Sequence, residues 1–276
     1  MADFRGVSVD AWMIHPTRRL LGEEMFAPLR AWLGESAADV DLPASASVDA
    51  LDQAGFELGA VTAWYGPGGA LVTNDDVAGV VKASAGRLVG VASVDLHRPV
   101  EAVRELRRAV TELGFRALRI QPWLWGLPPN DRRYYPLYVE CVELGIPFCT
   151  QVGHTGPARS SEPGRPIPYL EDVALDLPEL TIVAGHIGAP WTEEMIALAR
   201  RFPSVYIATS AYAAHRYPPV LVEYLRSRGG RRKVIFGSGF PVLGPGRALE
   251  RLGELGLDDE TRELFLGGNA RRVFSL

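Results

Sequence analysis

Lysine and cysteine are almost missing from this chain of 276 residues, which contains two of each. Lys82 falls in a helical pattern and Lys233 precedes a strand-like run, so neither stands where a strand ends, and Schiff-base chemistry is set aside. Cys141 and Cys149 form no metal-type pair of pairs and read as reduced core residues. A basic excess is absent as well: the formal net charge is -4, which argues against nucleic acid as a partner. No run is apolar for the length a membrane span needs, and the N-terminus reaches charge before any stretch could act as a signal, so a cytoplasmic protein is expected. A Gly-x-Ser-x-Gly elbow is lacking, and Gly244-Pro-Gly246 has the pattern of neither nucleotide fingerprint. A small-molecule substrate is left as the partner, with a homo-oligomer open.

What the chain does have is 47% hydrophobic and 22% charged residues, enough for one large core and a single domain over 1–276. Eight apolar strand-like runs alternate with amphipathic helical patterns, at 7–12, 58–64, 88–95, 117–123, 147–152, 180–186, 205–210 and 234–238. That alternation predicts an α/β fold of (β/α)8 TIM-barrel type. Between the runs, 99–114 carries an apolar stripe of Val100, Val103, Leu106, Val110 and Leu113, and 192–201 opens on a threonine and two acids and ends in arginines, as the helix dipole favours. A helix follows Asp258 and is expected to close the chain against the outside of the barrel. The long segment 17–56, with helical patterns at 26–33 and 48–54, is expected to form a flap over the barrel mouth, and 153–168 is an irregular loop on the same face.

In a barrel, chemistry collects where strands end. The polar residues there include Asp10 and His15, Asp95 and His97, Arg119 and Gln121, Gln151 and His154, His186, Ser210 and Tyr212, and Ser238. All five histidines fall at or just beyond strand ends. His154 and His186 stand out because glycines flank both, which lets the backbone turn sharply and leaves the ring open to a ligand. Arg119, Gln121 and Trp123 alternate on the fourth run, and an inward arginine needs an anion, from a carboxylate-bearing or phenolate-bearing substrate or from an internal pair with Asp10 or Asp95. Trp12, Trp64, Trp123, Trp125 and Trp191 gather near the same ends, where flat faces suit a ring.

Three motifs, Gln151-Val-Gly-His-Thr-Gly156, Ala184-Gly-His-Ile-Gly188 and Phe236-Gly-Ser-Gly-Phe-Pro241, carry a family resemblance, extended by Asn74-Asp-Asp-Val-Ala, Gly90-Val-Ala-Ser-Val-Asp95, Tyr134-Tyr-Pro-Leu-Tyr138 and Gly268-Asn-Ala-Arg-Arg272. The chain resembles the amidohydrolase-related family of barrel metal hydrolases and decarboxylases, which includes aminocarboxymuconate-semialdehyde decarboxylase. The resemblance implies His154 as the ligand after strand five and His186 as the acid/base residue after strand six. Other ligands do not carry over. Trp12 and Ile14 stand where a His-x-His pair is expected, His15 is one residue out of step, and Gly239 replaces a metal-binding aspartate. Strand alternation turns His15 away unless the chain bends there.

No resident cofactor is therefore expected, the alternative being zinc or manganese in a site rebuilt from His15, His154 and His186. The expected activity is acid/base hydrolysis of lactone or amide type, or non-oxidative decarboxylation, of a small carboxylated or ring-bearing substrate. His186 and His154 are the catalytic candidates, and Arg119, Gln121, Trp123, Gln151, His15, Trp12 and Tyr212 the substrate-binding ones. A metal-independent cyclase or isomerase and a non-catalytic binding barrel are the competing readings.

Overall fold

The computed structural model describes residues 8–27, 30–31, 42–154, 156–157 and 159–276. In chain order the strands are β1 (Val9–Met13), β2 (Leu58–Thr62), β3 (Trp64–Gly66), β4 (Gly69–Val72), β5 (Leu88–Val91), β6 (Leu118–Ile120), β7 (Phe148–Gln151), β8 (Ile182–Gly185), β9 (Val205–Ala208) and β10 (Val234–Ile235). β3 and β4 pair with each other as an antiparallel hairpin, and the other eight strands fall one in each of the eight predicted runs. β1, β2 and β5 form one parallel arc and β6 to β10 another. Parallel bridges from Met13 to Phe240 and from Ala92 to Leu118 join the arcs at both seams. There the Gly239 N–H donates to the Trp12 carbonyl at 2.8 Å and the Arg119 N–H to the Ala92 carbonyl at 2.7 Å. The ring is a (β/α)8 barrel.

Side-chain alternation sorts the strand residues by size. Val9, Ala11, Ala60, Val91, Ala117, Cys149, Val183, Ala208 and Ile235 form one buried cluster, while Leu118, Ile120, Phe148, Ile182, Val205, Ile207, Val234 and Phe236 belong to the larger core shared with the helices. Small residues fill the narrow interior and large ones the layer between strands and helices. Ala270 and Phe274, from the helix Asn269–Phe274, join the inner cluster and close it at the end opposite the loops. The helix that follows Asp258 is Asp259–Glu263, where the Asp258 carboxylate accepts the Thr261 N–H at 2.7 Å, and beyond it the Phe236 N–H donates to the Phe265 carbonyl at 3.0 Å.

Two helices differ in detail from their sequence patterns. The helix Pro99–Thr111 buries Ala102, Leu106 and Ala109, whereas Val100 is 58% exposed, because the alanines allow the closer approach to the barrel. The helix Thr192–Arg201 has the expected bounds, yet Trp191 takes the capping position without a side-chain bond and Thr192 is buried in the first turn. Of the 26–33 pattern, residues 28–29 and 32–33 lie outside the described residues, and the 17–56 segment is described in part. Among the described residues no helix is long and apolar enough to cross a membrane.

Candidate active site at the barrel mouth

A cavity of about 420 Å³ opens at the C-terminal ends of the strands. Its wall contains Trp12, Arg119, Gln121, Trp123, Gln151, His154, His186 and Tyr212, which are the sequence-predicted site residues with one exception. That exception is His15. β1 shifts register between Asp10 and Met13, which brings Trp12 inward; alternation then points Ile14 into the cavity and His15 out of it. His15 is buried outside the barrel, with Nδ1 2.8 Å from Ser47 Oγ and Nε2 2.9 Å from the Leu42 carbonyl. It is therefore neither a substrate contact nor a partner of His154 and His186.

Arg119 is the decisive charge. It is 2% exposed, its Nε is enclosed without a partner, and it makes no hydrogen bond or ion pair among the described residues. Neither Asp10 nor Asp95 pairs with it: Asp10 bonds backbone N–H groups, and Asp95 accepts the His97 N–H. Its guanidinium lies over the Trp12 ring, 4.4 Å from the centre, a cation–π contact that offsets part of the desolvation. Burial pushes Arg119 down to about 9, so it stays cationic at neutral pH. Among the described residues no carboxylate lines the cavity. Asp10 acts on Arg119 without touching it, and a buried cation with no hydrogen-bonded counter-charge among the described residues favours an anionic ligand.

Arg119→Met should then raise stability by about 1–2 kcal/mol, a few degrees in Tm, because a buried charge without a hydrogen-bonded partner is removed. The same variant should lose binding of benzoate, a flat monoanion, in calorimetric titration. A lower Tm with benzoate affinity unchanged would show that Arg119 serves packing instead.

His186 reaches the cavity through a backbone turn. By alternation the residue after Gly185 would face outward, but His186 and Ile187 adopt φ of 67° and 52°, in the left-handed region that non-glycine residues rarely occupy. Such strain persists where the surroundings over-determine it. Ser210 Oγ lies 3.0 Å from the His186 backbone nitrogen and 2.9 Å from Nδ1. Burial first, and the Arg119 charge second, push the imidazole down to about 3, so His186 is neutral at pH 7. Sequence reasoning named Ser210 as a strand-end residue but did not connect it with His186, since they lie 24 positions apart.

His154 sits at the exposed rim, with Nδ1 3.4 Å from Ser161 Oγ. The polar side chain in contact with His186 is Ser210, not His154. Gln151 lines the cavity but its amide is committed: its oxygen accepts the Trp123 indole N–H at 2.8 Å, and its nitrogen donates to the His154 carbonyl at 3.1 Å. It therefore props Trp123 and the His154 loop. Trp123 arrives not by strand alternation but on the helical turn Pro122–Trp125. Trp64 also lines the wall, whereas Trp125 faces His97 and Trp191 lies under Arg165. Asp10 accepts the Ser238 N–H at 2.9 Å and the Trp12 N–H at 3.1 Å, tying β1 to the 238–241 turn, and burial pushes its carboxyl up to about 6.

Among the described residues, the donors around the cavity do not fit a metal ion. Among the described residues no group of three His, Cys, Asp or Glu is placed to hold one. Trp12 and Ile14 offer no ligand, and the charge beside His186 is a guanidinium, which repels a cation. The Trp12 indole packs against Gly185. A Cβ at Gly185 would come within 2.5 Å of it, so only glycine allows that approach.

Comparison with known proteins places this geometry. The sequence profile of the family described as amidohydrolase matches residues 14–276. The chain belongs to the amidohydrolase family. It is 25% identical over 238 residues to the 2-amino-3-carboxymuconate-6-semialdehyde decarboxylase of Dictyostelium discoideum, a match covering 74% of this chain and 65% of that protein. An uncharacterised TIM-barrel protein of Bordetella bronchiseptica superposes with a TM-score of 0.82 at 25% identity, over 97% of this chain and 98% of the other. A 5-carboxyvanillate decarboxylase of Novosphingobium aromaticivorans, complexed with manganese and 4-hydroxy-3-methoxy-5-nitrobenzoic acid, superposes with a TM-score of 0.71 at 16% identity, over 99% and 97%.

Proposed function

We propose that this amidohydrolase-family protein is an enzyme that binds a small carboxylated, ring-bearing substrate at Arg119 and hydrolyses it, by lactone or amide chemistry, through His186 and without a resident metal. One observation carries the reading: an unpaired cation buried in an aromatic-walled cavity beside a neutral histidine. Trp12, Trp64 and Trp123 give the ring flat faces, and Arg119 holds the anion. His186 then polarises a carbonyl oxygen as a hydrogen-bond donor, and Tyr212, whose phenol burial keeps protonated, has a proton at the same wall. His154 at the rim faces the substrate's outer edge.

Anchoring favours hydrolysis over loss of carbon dioxide from the anchored group. A guanidinium that stabilises a carboxylate stabilises the ground state, and decarboxylation moves that charge away. Decarboxylation stands second, favoured by the similarity to a decarboxylase. We read residues 17–27, the part of the 17–56 segment that reaches the cavity, as a cover for the mouth, because Leu20, Met25 and Phe26 form part of the cavity wall.

Assay of chelator-treated protein against carboxylated lactones and amides, with carbon dioxide release followed in parallel, tests the reading. Ring or amide opening without carbon dioxide is expected, undiminished by the chelator. Protein purified without chelator should carry well under one equivalent of zinc, manganese or iron by elemental analysis. Activity that appears only on adding zinc or manganese would overturn metal independence.

A further inference from the structure

The hydrogen-bond partners of one hydroxyl decide which nitrogen of His186 carries its proton. Ser210 is fully buried, and its Oγ contacts two groups of the same residue, the His186 backbone N–H at 3.0 Å and Nδ1 at 2.9 Å. The backbone contact has only one direction, since an amide donates and the oxygen accepts. The hydroxyl hydrogen then needs an acceptor, and the one within reach is Nδ1. Were Nδ1 protonated, Oγ would accept twice and its own hydrogen would be buried without a partner, a cost that biases the tautomers by roughly tenfold or more. We propose that Ser210 is a positioning residue that holds His186 as the Nε2–H tautomer, so that the ring meets its ligand as a hydrogen-bond donor.

This rests on the reading of His186 as the working residue of the cavity and narrows the substrate class. Nε2 has no protein partner among the described residues, and Arg119 donates into the same cavity. The ligand atom held between them is an acceptor oxygen, of a carboxylate or a polarised carbonyl, and a substrate presenting only N–H or O–H groups there leaves both donors unpaired. The left-handed backbone at residue 186, held by the same serine, fixes where that donor points.

Long-range nitrogen–proton correlation on histidine-labelled protein at pH 7 reads the tautomer directly, with His186 assigned by its absence in His186→Asn. Wild type is expected to show the Nε2–H form alone, with Nδ1 shifted as a hydrogen-bond acceptor. Ser210→Ala should lose that shift and show both tautomers, and Ser210→Thr should restore the wild-type pattern. Ser210→Ala should also weaken benzoate binding by roughly tenfold, but not when His186 is already Asn, whereas a merely structural serine would cost the same in both backgrounds. An Nδ1–H signal in wild type overturns the proposal, even if the serine variants fail to fold. Absence of benzoate binding to wild type counts against the anion site of the preceding reading, and leaves the tautomer measurement to decide this one.

Discussion

Replacing His186 by Asn is expected to lower turnover by about two to four orders of magnitude, the share a positioned proton-transfer or oxyanion-holding group usually supplies. Asn is the informative choice because residue 186 has φ of 67°, which Asn adopts more readily than Ala, so the backbone turn survives. Tm at pH 7 should change little. The acid limb should change more. The folded-state value of His186, about 3, lies below the 6.5 of a free imidazole, so the unfolded chain binds a proton that the folded chain refuses. His186 therefore costs nothing at neutral pH and costs progressively more stability as pH falls from 6.5 towards 3. Asp10 runs the other way: raised from 3.8 to about 6, it loses stability as pH rises through that window. His186→Asn removes the first slope only, and the variant should gain relative to wild type on going from pH 7 to pH 5 in thermal melts. Full turnover in this variant, or loss of activity only through unfolding, makes His186 a structural histidine.

The frame of this site was legible in the sequence because it depends on local periodicity. Eight apolar runs became eight strands, and the one-residue offset of His15 had its expected consequence, an outward-pointing ring bonded to Ser47 and Leu42. What periodicity could not supply were contacts between distant positions and departures from regular backbone. The run at 58–64 took in the start of the β3–β4 hairpin, and the run at 117–123 continued into the helical turn that delivers Trp123. The inward turn at His186 depends on a left-handed residue that is not glycine, for which the sequence has no signal. Ser210 and His186 meet only because neighbouring strands β8 and β9 end side by side. The charge of Arg119 was visible, but whether Asp10 or Asp95 would pair with it was a question of three-dimensional placement.

Gly239→Asp, which reinstates the carboxylate that the family resemblance assigns to this position, should destabilise the protein and fail to recruit a metal. Gly239 has φ of 85°, and a Cβ there would stand 2.8 Å from the Ala211 backbone nitrogen. Backbone conformation and space both oppose a side chain, the first at about 1–3 kcal/mol and the second through displacement of the Ala211 turn. A total of about 3 kcal/mol corresponds to roughly 5–10 °C in Tm for a chain of this size. The gain expected in return is absent, because Trp12 and Ile14 still offer no ligands and Trp12 still packs against Gly185. The new carboxylate would instead give Arg119 an internal counter-charge in its own cavity, so benzoate affinity should fall along with Tm. Thermal melts, elemental analysis and benzoate titration on one preparation separate the cases. A variant that keeps wild-type Tm and takes up one equivalent of zinc would mean that a single ligand had been missing, whereas the expected outcome is that the backbone around residues 211 and 239 leaves no room for the added carboxylate.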